Sequence, residues 1–187
     1  MNIDNLGLCL WKKVEKTNPN YTKKANVKGN KITSIAPQYQ MMNATEQFGS
    51  YGATWGFKDI TLDFSLTDKG LIVFKGVFYY PGGEFPIINS IGMYKDNAQT
   101  KVDDDFAKKV ETDALTKALS KLGFNADIFM GKFEDSRYYA EITAEFTPKK
   151  VPTPDDLSWV NAIKTNQTTI DDPNLKGDYK EYIRSLL

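Results

Sequence analysis

Apolar positions along this chain change their period several times, and each change marks an element. Residues 6–14 carry apolar side chains at helical spacing and stop before Asn18-Pro19, which predicts a short first helix. A lysine-rich, glycine-containing segment, 21–31, follows. Lys31-Ile32-Thr33-Ser34-Ile35 reads as a short strand, and Pro37 stands where the first turn of a second helix accepts a proline. That helix runs through Tyr39, Met42 and Thr45 to Gly49, a natural C-terminal cap. Over residues 55–66 the period drops to two. Ile60, Leu62, Phe64 and Leu66 alternate with polar neighbours, the mark of a half-buried strand. Thr67-Asp68-Lys69-Gly70 is a turn, and residues 71–80, apolar on both faces apart from Lys75, form a central strand. Pro81-Gly82-Gly83-Glu84 is a second turn, after which residues 85–94 complete an antiparallel meander.

Asp103-Asp104-Asp105 opens the longest predicted helix, 104–122. Its apolar face is Phe106, Val110, Ala114, Ala118 and Leu122 with Ala107, Leu115 and Leu119, and Gly123 closes it. Residues 124–146 are less regular, although 138–146 alternates in the manner of one more strand. Residues 147–154 contain Pro148, Pro152 and Pro154 and form a semi-rigid connector. Beyond it, 155–164 and 178–187 predict two short helices. The expected organisation is a core domain (1–146), a proline-rich linker (147–154) and a helical tail (155–187). The fold class is α+β, with the long helix packed across one face of a three-stranded antiparallel sheet.

Hydrophobic residues make up 41% of the 187, enough to bury a core, and the charges balance at 24 against 24, so the chain is not a disordered polyelectrolyte. There is no histidine and Cys9 is the only cysteine. That composition excludes Ser-His-Asp and Cys-His nucleophile systems, imidazole zinc ligands and thiolate clusters. An enzyme here would depend on carboxylates, lysines or bound magnesium. The single cysteine, and a start without a basic, apolar leader pattern, point to a reducing cytoplasm. No apolar run approaches the roughly 20 residues that span a bilayer.

The balanced total hides an uneven distribution. Residues 1–31 hold seven lysines against Asp4 and Glu15, a net of five positive, while residues 151–187 are net two negative. Local patches, more than the total, decide whether nucleic acid binds. The acidic run at 103–105, with Glu111 and Asp113, is a candidate magnesium site of a nuclease. Three acids at a helix start are more simply favourable charges against the helix dipole, and neighbouring helical residues converge poorly on one ion. Gly82-Gly83 lacks a following Gly-Lys-Ser/Thr and reads as a hairpin turn, not a phosphate loop.

Two stretches carry a resemblance. Ala44-Thr45-Glu46-Gln47-Phe48-Gly49, followed by Gly52 and Trp55, is similar to the entry into the sheet of single-strand DNA-annealing proteins of the Rad-fifty-two type and their phage Sak-type relatives. Residues 108–124, with Thr112-Asp113, Lys117, Ala118-Leu119 and the closing Gly123, resemble that family's long helix. Thr17-Asn18-Pro19 and Tyr21-Thr22-Lys23 also look like phage Sak-type sequences. The resemblance spans residues 1 to about 140. It implies a β-β-β-α core that assembles as a homo-oligomeric ring or helical arc around a basic groove, in which single-stranded DNA lies with its bases exposed. The implied function is ATP-independent annealing of complementary strands in phage or plasmid recombination, non-enzymatic and without a cofactor. A single-strand-binding protein is a candidate partner for the tail. DNA-end protection by the same fold is the alternative, and a magnesium-dependent nuclease is the alternative from another class.

By position, Lys117 matches a basic residue of the family's groove helix. Thr116 and Ser120 stand where the eukaryotic members carry basic residues, and Tyr39 where an arginine is expected. Lys109 and Lys121 would restore charge, and Tyr51 in the Phe-Gly-Ser-Tyr-Gly turn offers an aromatic contact. Lys12, Lys13, Lys16, Lys23, Lys24 and Lys28, interleaved with Trp11 and Tyr21, form a candidate DNA arm, with plain solubilising charge as the alternative. Lys117 has a plainer role open to it as well, an i,i+4 pair with Asp113 on a solvated face. Only Arg137 and Arg184 are arginines, so phosphate contacts would rest on lysine point charges.

Overall fold

The computed structural model describes residues 6–27, 29–96, 98–148 and 151–187. Helix α1 (Leu6–Val14) leads into a hairpin of β1 (Thr22–Val27) and β2 (Asn30–Ile35), and then into α2 (Pro37–Phe48). Strands β3 (Gly56–Asp63), β4 (Leu71–Tyr80) and β5 (Gly83–Gly92) form an antiparallel sheet in that spatial order. Helix α3 (Phe106–Lys121) follows, with a short α4 (Ala126–Phe129) and α5 (Ser136–Phe146). Two compact units divide at residue 146, and α6 (Pro154–Lys164) and α7 (Gly177–Ser185) lie in the second. The fold is mixed α+β. Among the described residues no helix is long and apolar enough to cross a membrane.

Alternation along β4 builds the first core. Ile72, Phe74 and Phe78 are buried on one face, and the register sets Phe57 and Phe85 on either side of Phe78. Helix α3 covers this face through Val110, Ala114, Ala118 and Leu119; the two alanines leave little side chain between helix and strands. Each buried Phe or Leu contributes roughly 1.5–3 kcal/mol of transfer free energy. Helix α2 adds Ala44 and Phe48 to the same cluster and ends at Gly49, whose φ of 88° only glycine adopts without strain. The indole N–H of Trp55 donates to the Gly49 carbonyl at 2.9 Å, fixing the entry to β3.

Several elements depart from the sequence reading. The segment before β2 is itself a strand, β1, paired with β2 from Thr22↔Ile35 onward. Strand β3 stops at Asp63, where the carboxylate accepts the Ser65 N–H and turns the chain. Within β3 the register shifts between Lys58 and Thr61, with Asp59 at φ 54°. This bulge breaks the alternation: Leu62 packs into the core, but Ile60 and Phe64 are 49% and 50% exposed. Strand β5 begins and ends two residues earlier than expected. Residues 138–146 are helical, not a strand. Asp135 Oδ1 accepts the N–H groups of Arg137 and Tyr138 and caps α5, whose alanines and glutamates favour helix.

In the second unit, Thr153 and Asp156 form a reciprocal capping box, and Pro154 is already the first residue of α6. Val160, Leu175 and Ile183 make a separate small core there.

Candidate nucleic-acid interface

Residues three and four apart on a helix share a stripe. On α3, Lys117 and Lys121 form one polar stripe and Lys109, Asp113, Thr116 and Ser120 a second. Lys117 Nζ lies 3.4 Å from Asn89 Oδ1 and 3.5 Å from the Ile88 carbonyl, distances at the weak end of hydrogen bonding. Lys121 Nζ lies 5.5 Å from the centroid of the Phe85 ring. Both side chains therefore run along the seam between α3 and β5, an outer strand of its sheet. Neither ammonium has a carboxylate within ion-pair distance among the described residues. The plainer alternative, an Asp113–Lys117 pair, is not made at that distance. Burial raises the Asp113 carboxyl above its ordinary value, and the Lys117 charge opposes this only in part.

The other predicted residues are distributed differently. Lys109 Nζ pairs with Asp103 Oδ2 at 2.5 Å, and that bond is the main reason the Asp103 carboxyl sits below the usual carboxylate range. Thr116 faces α2, its hydroxyl donating to Gln40 Oε1 at 2.8 Å. Ser120 turns back on its own helix, donating to the Lys117 carbonyl at 2.9 Å. Tyr39 is 7% exposed and stacked on Tyr21 with centroids 4.3 Å apart; its hydroxyl accepts the Asn18 N–H. It supports the hairpin rather than facing a groove. Tyr51 packs edge-on against Trp55, just ahead of β3, and burial, then Glu111, raises its hydroxyl pKa. Lys23 is exposed on β1, whereas Lys24 Nζ is tied to Thr33 Oγ1 at 2.7 Å and Glu134 Oε2 at 2.9 Å. Lys28 lies outside the described residues.

The acidic run at 103–105 brings three carboxylates within 4.8 Å of one another. Lys109 pairs with Asp103 and Lys95 with Asp104, so ammonium groups already stand where a cation would balance the charge. In both cases that bond lowers the carboxyl pKa.

Two features escaped the sequence reading. Gln40 is 2% exposed, and its Nε2 has no hydrogen-bond partner. It lines a cavity of about 530 Å³ together with Ile32, Ile35, Asp113, Thr116 and Phe129. The available signal was spacing: Gln40, Ala44 and Phe48 are each four apart and form the buried stripe of α2. The second feature is Asp127, 1% exposed, whose oxygens accept from Thr17 N–H and Oγ1, the Tyr138 hydroxyl and the Ile128 N–H.

In comparisons with known proteins, no family model matches the chain and no curated protein matches it.

Proposed function

We propose that the chain belongs to the class of non-enzymatic proteins that bind single-stranded DNA. Within that class it is an annealing protein, pairing complementary strands without ATP as a homo-oligomeric ring or arc, in phage or plasmid recombination in the cytoplasm. The observation that carries this reading is the antiparallel meander followed directly by α3, with Lys117 and Lys121 exposed and carboxylate-free along its seam with β5. Point charges of this kind neutralise phosphates without reading sequence, as annealing requires. A charge-neutral protomer gains avidity when copies repeat the stripe along one strand.

Two complementary oligonucleotides mixed at low salt test the reading. The protein is expected to accelerate their pairing, and a rate no faster than the spontaneous one rejects it. Replacing both Lys117 and Lys121 with Glu is expected to weaken binding and to reduce the slope of log affinity against log salt by about 1.4, the value for two single-strand phosphate contacts. An unchanged slope removes both residues from the interface.

A further inference from the structure

We infer that the cavity lined by β2, α2, α3 and α4 takes a nucleobase of a bound single strand, held through the carboxamide of Gln40; this deepens, and rests on, the single-strand-binding reading.

The buried amide is the starting point. Thr116 Oγ1 satisfies one of its two polar atoms at 2.8 Å. The other, Nε2, has no hydrogen-bond partner in the protein. A buried polar atom left unpaired is costly, and an apolar side chain at this position on the buried stripe of α2 would avoid the cost. The residue that carries the orphan atom lines a cavity of about 530 Å³, within the range of small-molecule pockets. A group that enters and pairs with it recovers a hydrogen bond the protein alone does not make.

The lining selects the class of that group. Asp113 and Glu134 both line the cavity, and Lys24, the lysine beside it, is already engaged by Glu134. A phosphate would face two acids. A flat, uncharged ring with alternating donors and acceptors along one edge fits better. Gln40 has a donor at Nε2, a single bond that an acceptor on the edge of any base can take. Asp113 supplies a further acceptor for ring N–H groups. Ile32, Ile35 and Ile128 provide apolar walls, and Phe129, half exposed, offers a ring face for stacking.

The surroundings supply the place for the strand. A neighbouring groove shares Pro37, Thr112 and Asp113 with the cavity and continues to Lys108 and Lys109. Lys109 is held by Asp103, but Lys108 is exposed and has no carboxylate partner among the described residues. A phosphate beside Lys108 would stand in the groove that adjoins the cavity through Pro37, Thr112 and Asp113.

The test compares binding of the full chain to an oligothymidylate and to an abasic strand of the same length, across a salt series. The wild-type protein is expected to bind the abasic strand about tenfold more weakly, as loss of base contacts predicts. Gln40→Leu is expected to melt no lower than wild type and to lose most of that difference while keeping the salt slope. Equal, salt-sensitive binding of both strands by the wild-type protein overturns the inference and leaves the single-strand reading standing. Failure of both strands to bind removes the reading itself. Binding of free thymidine that Gln40→Leu abolishes, with no abasic penalty, assigns the cavity to a soluble nucleoside and overturns the strand-borne base. Should Gln40→Leu not fold, the wild-type abasic comparison decides alone.

Discussion

At the scale of single residues, the buried Asp127 carboxylate holds three segments together through the hydrogen bonds it accepts. Its oxygens accept Thr17 N–H at 2.8 Å and Thr17 Oγ1 at 2.6 Å, from the stretch after α1, and the Tyr138 hydroxyl at 2.9 Å, from α5. Backbone bonds from Asn125 N–H to the Val14 carbonyl and from Asp127 N–H to the Glu15 carbonyl run beside it. Asp127→Ala strands several buried donors at once and is expected to cost about 3–5 kcal/mol in denaturant unfolding, as for removal of one member of a buried charged network. Tyr138→Phe removes one donor only and is expected to cost about 1 kcal/mol. Equal costs for the two variants would contradict the network. Gly123 next door is limited twice over. Its φ is +95°, and a Cβ there would lie 2.5 Å from the Trp11 ring. Gly123→Ala is therefore expected to destabilise by about 2 kcal/mol or more, read as a lower thermal midpoint, with Trp11 fluorescence reporting displacement of α1.

At the scale of elements, the β1–β2 hairpin is pinned by one acid. Glu134 Oε1 accepts the Thr33 N–H at 2.9 Å and its hydroxyl at 2.6 Å, and Oε2 pairs with Lys24. These bonds, the Thr33 hydroxyl first and Lys24 next, hold the Glu134 carboxyl below its ordinary value. A depressed folded pKa contributes stability above the unfolded pKa and loses it as pH falls through the folded value. Amide exchange at Thr33 is thus expected to accelerate below about pH 4, and Glu134→Gln to remove that pH dependence; exchange indifferent to both would detach Glu134 from the hairpin. Nothing in the sequence announced β1, because Thr22-Lys23-Lys24-Ala25-Asn26-Val27 lacks apolar alternation and is a strand by virtue of its partner. Helix α5 was hidden by the opposite accident: Tyr138, Ala140, Ile142, Ala144 and Phe146 alternate, yet the Asp135 cap and the composition dictate a helix. The meander and α3 were legible since their periods and turn residues agree, apart from the Asp59 bulge, a backbone event without a sequence mark. Of the candidate interface residues, Lys117 came from the resemblance and Lys121 from the charge that would complete its stripe. Gln40 did not, because a glutamine in an amphipathic helix reads as solvent-facing until its stripe is known.

At the scale of the whole molecule, charge and sheet edges together constrain how copies can cooperate. The chain carries 24 basic against 24 acidic residues, so its net charge supplies no attraction for phosphate. On the proposed reading, strong binding requires several stripes on one strand. Simple continuation of the β3–β4–β5 sheet from copy to copy is disfavoured at both ends: β3 carries the bulge at Asp59, and β5 carries Pro86 with Lys117 reaching toward the Ile88 carbonyl. Contacts between copies are therefore expected to use side-chain surfaces, which are more salt- and concentration-dependent than an extended ladder. Single-molecule mass measurement checks this. Protein alone is expected to shift from small to larger assemblies as its concentration rises, and single-stranded DNA to drive that shift at lower concentration. Lys117→Glu with Lys121→Glu should abolish the DNA-driven part, with protein-only assembly followed beside it as the control because Lys117 also reaches the β5 edge. A chain that stays monomeric with and without DNA contradicts annealing by repeated stripes, however well each protomer folds.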